Sequence, residues 1–347
     1  MLAAAKRPVL IVGHGARFHM PQVIELAEQL GAPILTTFKG KGAIGDDHAL
    51  AGGVLGRSGT PVASWLMNES DLLLVLGASF SSHTGITPKI KTIQVDSDRG
   101  QLARFHPVDL PLWGELGVTA ELLREGLGKS AAVDQRADIA ERWAIWREEK
   151  RRRLEDGCGH GVSSSAIFDA LNRKAPKDAI FAVDVGNNTY SFGRYFEPSG
   201  DQAVLMSGYL GSIGFGYPAA LGAWAATQVK GRWGGRFEGR PVIAITGDGG
   251  FGQYPFEVTT AVQYGMNITH VLLHNKQLGK ISKEQRAGGW DVWETKLVNP
   301  NIAEFVTSCG GLGIRVESAD QLDEAFERAL AFDGPATIEV MADAELV

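Results

Sequence analysis

Cysteine is scarce in this chain. Only two occur in 347 residues, Cys158 and Cys309. They are too few and too far apart for a disulfide framework or a cysteine metal site, and they suit a reducing compartment. There is no apolar run near the ~20 residues that a membrane helix requires. Basic residues are not in excess: Lys plus Arg number 34 against 40 Asp plus Glu, a formal charge of −6. That leaves no basic face for nucleic acid. Lys6 and Arg7 stand where a secretory leader would carry apolar residues, so the expected location is the cytoplasm. A G-x-S-x-G elbow is also missing. Gly128-Lys129-Ser130 mimics the end of a P-loop, but position 123 is Leu where the first glycine should be. Glycine, by contrast, is abundant at 44 residues, nearly twice the usual share of about 7%. Without a collagen period, that density marks tight turns or backbone brought close to ligands.

Apolar residues make up 44% and charged ones 21%, enough for well-formed cores. At about 150 residues per domain the length suggests two. The first third alternates: strand Pro8–Val12, a helical pattern over Val23–Leu30, strand Pro33–Thr37, helix Val62–Met67, then strands Asp71–Leu76 and Thr92–Val95. Helix Glu115–Leu127 closes this unit. A small, polar stretch follows, then a charged helix over Ala140–Asp156 that reads as a solvated connection. The second unit alternates again, with strands at Ala179–Val183, Val242–Thr246, Ile268–Leu273 and Ala336–Val340. Helices are expected at Ser164–Lys174, Pro218–Val229, Pro255–Tyr264, Asn301–Cys309 and Ala319–Phe332, and an exposed turn at Gly231–Arg240. Such alternation predicts two consecutive parallel-sheet α/β three-layer domains. The expected boundaries are residues 1–130, a linker at 131–160, and residues 161–347.

One constellation carries chemistry. Thr246-Gly247-Asp248-Gly249-Gly250-Phe251 follows a strand directly, and His274-Asn275-Lys276-Gln277-Leu278-Gly279 comes one helix and one strand later. Asp248 and Asn275 therefore fall at the tips of successive strands, where open α/β sheets bind ligands. A carboxylate, an amide oxygen and a loop carbonyl are the hard oxygen donors that Mg²⁺ uses, and Mg²⁺ keeps room for phosphate oxygens.

Gly247-Asp248-Gly249 followed by Asn275 resembles the thiamin-diphosphate motif. Tyr209 to Ala220, with Gly211-Ser212-Ile213-Gly214, is similar to the segment that holds the cofactor's aminopyrimidine, and Asp184-Val185-Gly186-Asn187-Asn188 to the loop at its diphosphate. The chain thus resembles the pyruvate oxidase and acetolactate synthase family over nearly its full length. Asn275 to Ile281, with Glu284-Gln285 and Gly310–Pro335, leans toward the oxidase and quinone-linked pyruvate dehydrogenase branch. The resemblance implies a Rossmann-like central domain followed by a thiamin-diphosphate-binding domain. It implies Mg²⁺ ligation by Asp248, Asn275 and the main-chain carbonyl of Gln277. Gly247, Gly249, Gly250, Asn187 and Asn188 would hold the diphosphate, with Leu278 and Gly279 in the same loop. Gly211, Ser212 and Ile213 would grip the pyrimidine, Ile213 as the wedge that folds the cofactor. Glu284 matches a carboxylate near the substrate, and reads equally as a solvated helix residue. The implied chemistry is decarboxylation of a 2-oxo acid such as pyruvate, oxidase-like. Acetolactate synthase-like carboligation is the alternative, and a non-catalytic nucleotide-binding or assembly protein the rival from another class.

The first domain resembles the family's central domain, which in many members holds FAD. Gly13-His14-Gly15-Ala16 between a strand and a helix suits a dinucleotide phosphate, with Gly77 opposite. As a fingerprint it is incomplete, because Phe18 replaces the third glycine, so FAD and a structural role both stand. The resemblance further implies a pyrimidine-binding domain, in cis or in trans, that has no counterpart in these residues. The chain alone is therefore expected to bind Mg²⁺–thiamin diphosphate weakly or not at all, to be inactive, and to form a homo-oligomer, dimer or tetramer.

Overall fold

The computed structural model describes residues 1–154 and 161–344, so Cys158 lies outside the described residues. Two compact units emerge. The first is Met1–Lys150 with the excursion Glu197–Gly200; the second is Arg151–Phe196 and Asp201–Val347.

In the first unit, β1 (Pro8–Val12), α1 (Met20–Leu30), β2 (Ile34–Thr36), β3 (Ala51–Val54), α2 (Pro61–Asn68), β4 (Leu72–Leu76), β5 (Thr92–Asp96), β6 (Leu110–Trp113) and α3 (Leu116–Gly126) follow one another. Every strand pairing is parallel. The order is β3-β2-β1-β4-β5-β6, which reverses between β1 and β4, the place where doubly wound sheets open a crevice. Every residue of β1 and of β4 is buried, because helices cover both faces of a parallel sheet. That is why both read as unbroken apolar runs rather than alternating ones. Helix α4 (Arg136–Arg153) is charged along much of its length, yet it is fastened to this unit. The Trp143 indole donates to the Ala51 carbonyl at 2.7 Å, and the Arg142 guanidinium lies 3.7 Å from the Trp65 ring centre.

A buried charge cluster also belongs to the first unit. Lys41 and Asp46 are both buried, with Nζ and Oδ2 3.8 Å apart. Glu197 accepts from Arg147 at 2.8 Å and pairs with Lys150. Burial, reinforced by the Glu197 charge, pushes the Asp46 carboxyl up to about 6, while Lys41, Lys150 and Arg147 oppose it; burial pushes Lys41 down. An acid whose folded-state value is raised contributes stability below its ordinary value and loses it as pH rises through about 6. Wild type should therefore lose about 2 kcal/mol relative to Asp46→Asn between pH 4 and pH 7. Urea midpoints of the two proteins across that range check this, and parallel profiles contradict it.

In the second unit α5 (Ser164–Lys174), β7 (Ile180–Val183), α6 (Asn187–Tyr195), β8 (Ala203–Met206), α7 (Gly216–Thr227), β9 (Val242–Gly247), α8 (Asp248–Phe251), α9 (Glu257–Gln263), β10 (Ile268–His274), α10 (Gly279–Ala287), α11 (Ile302–Ser308), β11 (Leu312–Val316), α12 (Leu322–Ala331) and β12 (Ala336–Met341) form a second all-parallel sheet. Its order is β11-β12-β10-β9-β7-β8. From β7 the chain moves outward to β8 and then returns to the other side at β9, so the reversal lies between β7 and β9. The architecture is the expected one, two consecutive three-layer α/β domains. The segment read as a turn before β9 holds a short 3-10 turn at Arg232–Gly235.

Candidate functional site

The carboxyl ends of β7, β9 and β10 converge, and the side chains there are tied to one another across the strands. Asp248 follows β9 at once and is buried. Its Oδ2 accepts from the Lys276 amide at 2.8 Å and from Asn299 Nδ2 at 2.7 Å. Burial pushes this carboxyl up, and the nearby His274 ring and the backbone amides oppose that only in part. A buried carboxyl that is costly to ionise alone is favoured as an anion by a cation at its open side. Lys276 takes a left-handed conformation, φ 56°. That turn lets Asn275 Oδ1 accept from the Gln277 amide at 3.1 Å. The expected donors thus lie on one short loop stitched directly to Asp248.

The end of β7 supplies the second group. Asp184 is fully buried and accepts from the amides of Val185 (2.7 Å), Gly214 (2.9 Å) and Phe215 (3.2 Å). Burial pushes its carboxyl up, and these donors only partly offset the effect. It anchors the 211–215 segment to the sheet. Gly211 and Gly214 have φ of 68° and 88°, so this segment needs glycine for its backbone. Ser212 donates its amide to Ser207 Oγ at 3.1 Å. A Cβ placed on Gly249 would lie 2.9 Å from Leu278 and 4.0 Å from the tip of Ile213; Ile213 and Leu278 thus close over the turn after β9.

Asn187 and Asn188 open α6. Asn188 is buried and donates to the Asp184 carbonyl at 2.9 Å, and its Oδ1 lies 3.6 Å from where a Gly247 Cβ would sit. Asn187 Nδ2 is buried with no hydrogen-bond partner among the described residues. Any Cβ on Gly279 would collide with that atom and lie 3.5 Å from Asn275 Nδ2, so Asn187 and the Asn275 loop share one small space. An unmet buried donor costs about 1–3 kcal/mol, and an anionic oxygen there would satisfy it. Glu284 sits apart from these ties, half exposed on α10 and 2.7 Å from Lys280.

In the first unit, Gly13, Gly15 and Gly77 lie at the β1/β4 reversal and explain one another. A Cβ on Gly13 would strike the Gly77 carbonyl, and one on Gly77 (φ 61°) would lie 2.8 Å from the Ala16 amide. Their spacing is set by contact between two loops of the chain itself.

Sequence reasoning missed three contributors: His274, Asn299 and Glu339. His274 Nδ1 lies 2.6 Å from Glu339 Oε1, and its Nε2 lies 3.8 Å from Asp248 Oδ2 and 3.5 Å from Asn299 Nδ2. The available signal was Glu339 itself, a charged residue inside the apolar run Ala336–Met341. Such residues are almost never buried without a partner. No group of three or more His, Cys, Asp or Glu side chains among the described residues is arranged to hold a metal, and the expected donor set contains only one such residue. No described helix is long and apolar enough to cross a membrane.

Two family models match this chain. Residues 1–123 match the central domain of thiamine pyrophosphate (thiamin diphosphate) enzymes, and residues 184–340 match their C-terminal TPP-binding domain. The chain belongs to the thiamine pyrophosphate enzyme family. Among curated relatives, YdaP of Bacillus subtilis, named a thiamine pyrophosphate-containing protein, is 32% identical over 97% of this chain and 57% of its own length. The acetolactate synthase large subunit of Corynebacterium glutamicum is 30% identical over 98% of this chain and 55% of its own. The large subunit of Escherichia coli acetolactate synthase isozyme 2 is 28% identical over 99% and 61%. The chain therefore spans little more than half the length of these relatives.

The packing around Asp184 makes a contrast testable. A Cβ at Gly250 would collide with the Asp184 carboxylate, whereas one at Gly222 in α7 meets nothing within 4 Å among the described residues. Gly250→Ala should lower the unfolding free energy by about 1–3 kcal/mol, and Gly222→Ala should raise it by about 0.5–1 kcal/mol. Denaturant titrations of both variants decide it; equal shifts would mean that the Asp184 anchor is not as described.

Proposed function

We propose that the second unit binds the diphosphate of thiamin diphosphate through Mg²⁺, and that the whole protein uses the cofactor to decarboxylate a 2-oxo acid. The observation that carries this reading is the pairing of a buried Asp248 with the Asn275–Gln277 loop beside the unmatched Asn187 donor. Asp248, Asn275 and the Gln277 carbonyl would hold the cation. Asn187, Asn188, Gly249 and Gly250 would hold the diphosphate, and Ile213 with the Gly211–Ser212 backbone the pyrimidine. When bound, thiamin diphosphate supplies an electron sink for loss of CO₂. The protein's own part is to orient that group: Asp184 fixes the 211–215 segment, and Asp248 fixes the cation loop. Glu284, more than half exposed on its helix, is the substrate-side carboxylate of this reading, assigned by resemblance alone.

The named relatives favour carboligation, in which a second 2-oxo acid accepts the decarboxylated fragment, over the oxidase-like fate suggested by the Asn275–Ile281 stretch. On either fate the first unit would be the place for FAD, visible as a flavin absorption band in the purified protein. The proposed partners are a pyrimidine-binding domain, in cis or in trans, and further copies of the chain.

Complemented with that domain and given pyruvate, Mg²⁺ and thiamin diphosphate, the protein should release acetolactate. Acetate with reduction of an electron acceptor would select the oxidase alternative. Asp248→Ala should abolish Mg²⁺-dependent cofactor binding, followed by calorimetric titration; undiminished binding by this variant contradicts the assignment.

A further inference from the structure

The run Glu339–His274–Asn299–Asp248 lies behind the cation loop and takes no part in holding the cation, the diphosphate or the pyrimidine. Glu339, fully buried in β12, accepts from the amides of Ala303 (3.0 Å) and Ile302 (3.3 Å), from Arg315 at 3.3 Å, and from His274. Burial alone would push this carboxyl up, but those donors outweigh it and hold it below the ordinary carboxylate range. An ionised carboxylate only accepts, so the His274 proton facing it sits on Nδ1. Nε2 meets the Asn299 amide nitrogen, which only donates, and so acts as an acceptor. It faces Asn299 Nδ2, whose two hydrogens serve His274 at 3.5 Å and Asp248 Oδ2 at 2.7 Å. The hydrogen bonds therefore diverge from the Asn299 amide, one to Asp248 and the other through His274 to the buried anion in β12. Together with the Lys276 amide, the first of these occupies Oδ2.

We propose that His274, locked by Glu339 and acting through Asn299, is a positioning residue that fixes the Asp248 carboxylate and leaves Oδ1 for the divalent cation. The proposal rests on Asp248 being a cation ligand. A ring that could turn, or present the other tautomer, would release the Asn299 amide and let the carboxylate rotate. Groups that orient a metal ligand from behind typically change metal affinity 10–100-fold when removed.

The test uses the protein complemented with the pyrimidine-binding domain, and Mn²⁺ as an EPR-visible stand-in for Mg²⁺, titrated in the presence of thiamin diphosphate. Asp248→Ala should lose Mn²⁺ binding. Glu339→Gln and His274→Leu should each weaken it about 10–100-fold. The double variant should bind no more weakly than His274→Leu alone, since Glu339 acts only through the ring; independent structural damage would give losses that add. Asn299→Ala, at a half-buried loop residue, should weaken Mn²⁺ binding in the same range and keeps the test decisive if the His274 variant does not fold. Wild-type affinity in Glu339→Gln and Asn299→Ala, with Asp248→Ala unable to bind, overturns the positioning role and leaves the site standing. Failure of wild type to bind, or binding by Asp248→Ala equal to wild type, overturns both.

Discussion

The hydrogen bond from the Lys276 amide to Asp248 holds the second unit's candidate site together. Placing a carboxylate at the buried tip of β9 obliges the fold to supply donors, and they come from the loop after the neighbouring parallel strand. To present its amide there, Lys276 adopts a left-handed backbone, and the same turn folds the Asn275 side chain over the Gln277 amide. One burial requirement thus sets the shape of the loop that offers the remaining oxygens.

Asp184 plays the matching part at β7. Its carboxylate gathers the amides of Gly214 and Phe215, and Gly250 has no side chain because that carboxylate fills the space. Two raised carboxyls at adjacent strand tips, on either side of the sheet's reversal, are the pattern expected where a fold has been arranged around charge rather than packing. The first unit offers a contrast. Its glycines at the corresponding reversal are accounted for by each other's backbone, so glycine excess by itself says less about ligands than the company each glycine keeps.

Legibility in the sequence followed burial. The central strands β1, β2, β4 and β5, and β7, β9, β10 and β12, are apolar runs because helices cover both faces, and each shows in the sequence. The strands that did not show, β3, β6, β8 and β11, are the four sheet edges. β3 reads Ala-Gly-Gly-Val, β6 carries Pro111, and β11 carries Gly313, residues that edges tolerate and that erase a strand signature. At the site, Asp248 was legible because glycines flank it, and Asn275 because it ends the next parallel strand. His274 and Glu339 were not, since each is a single polar residue in an apolar strand, and their partnership joins positions far apart in sequence.

The most direct test of the central claim is anomalous diffraction from crystals grown with Mn²⁺ and thiamin diphosphate. The account predicts one peak at ligand distance, about 2.0–2.3 Å, from Asp248, the Asn275 side-chain oxygen and the Gln277 carbonyl. A peak that excludes Asp248 and Asn275, with the cofactor bound, would contradict it.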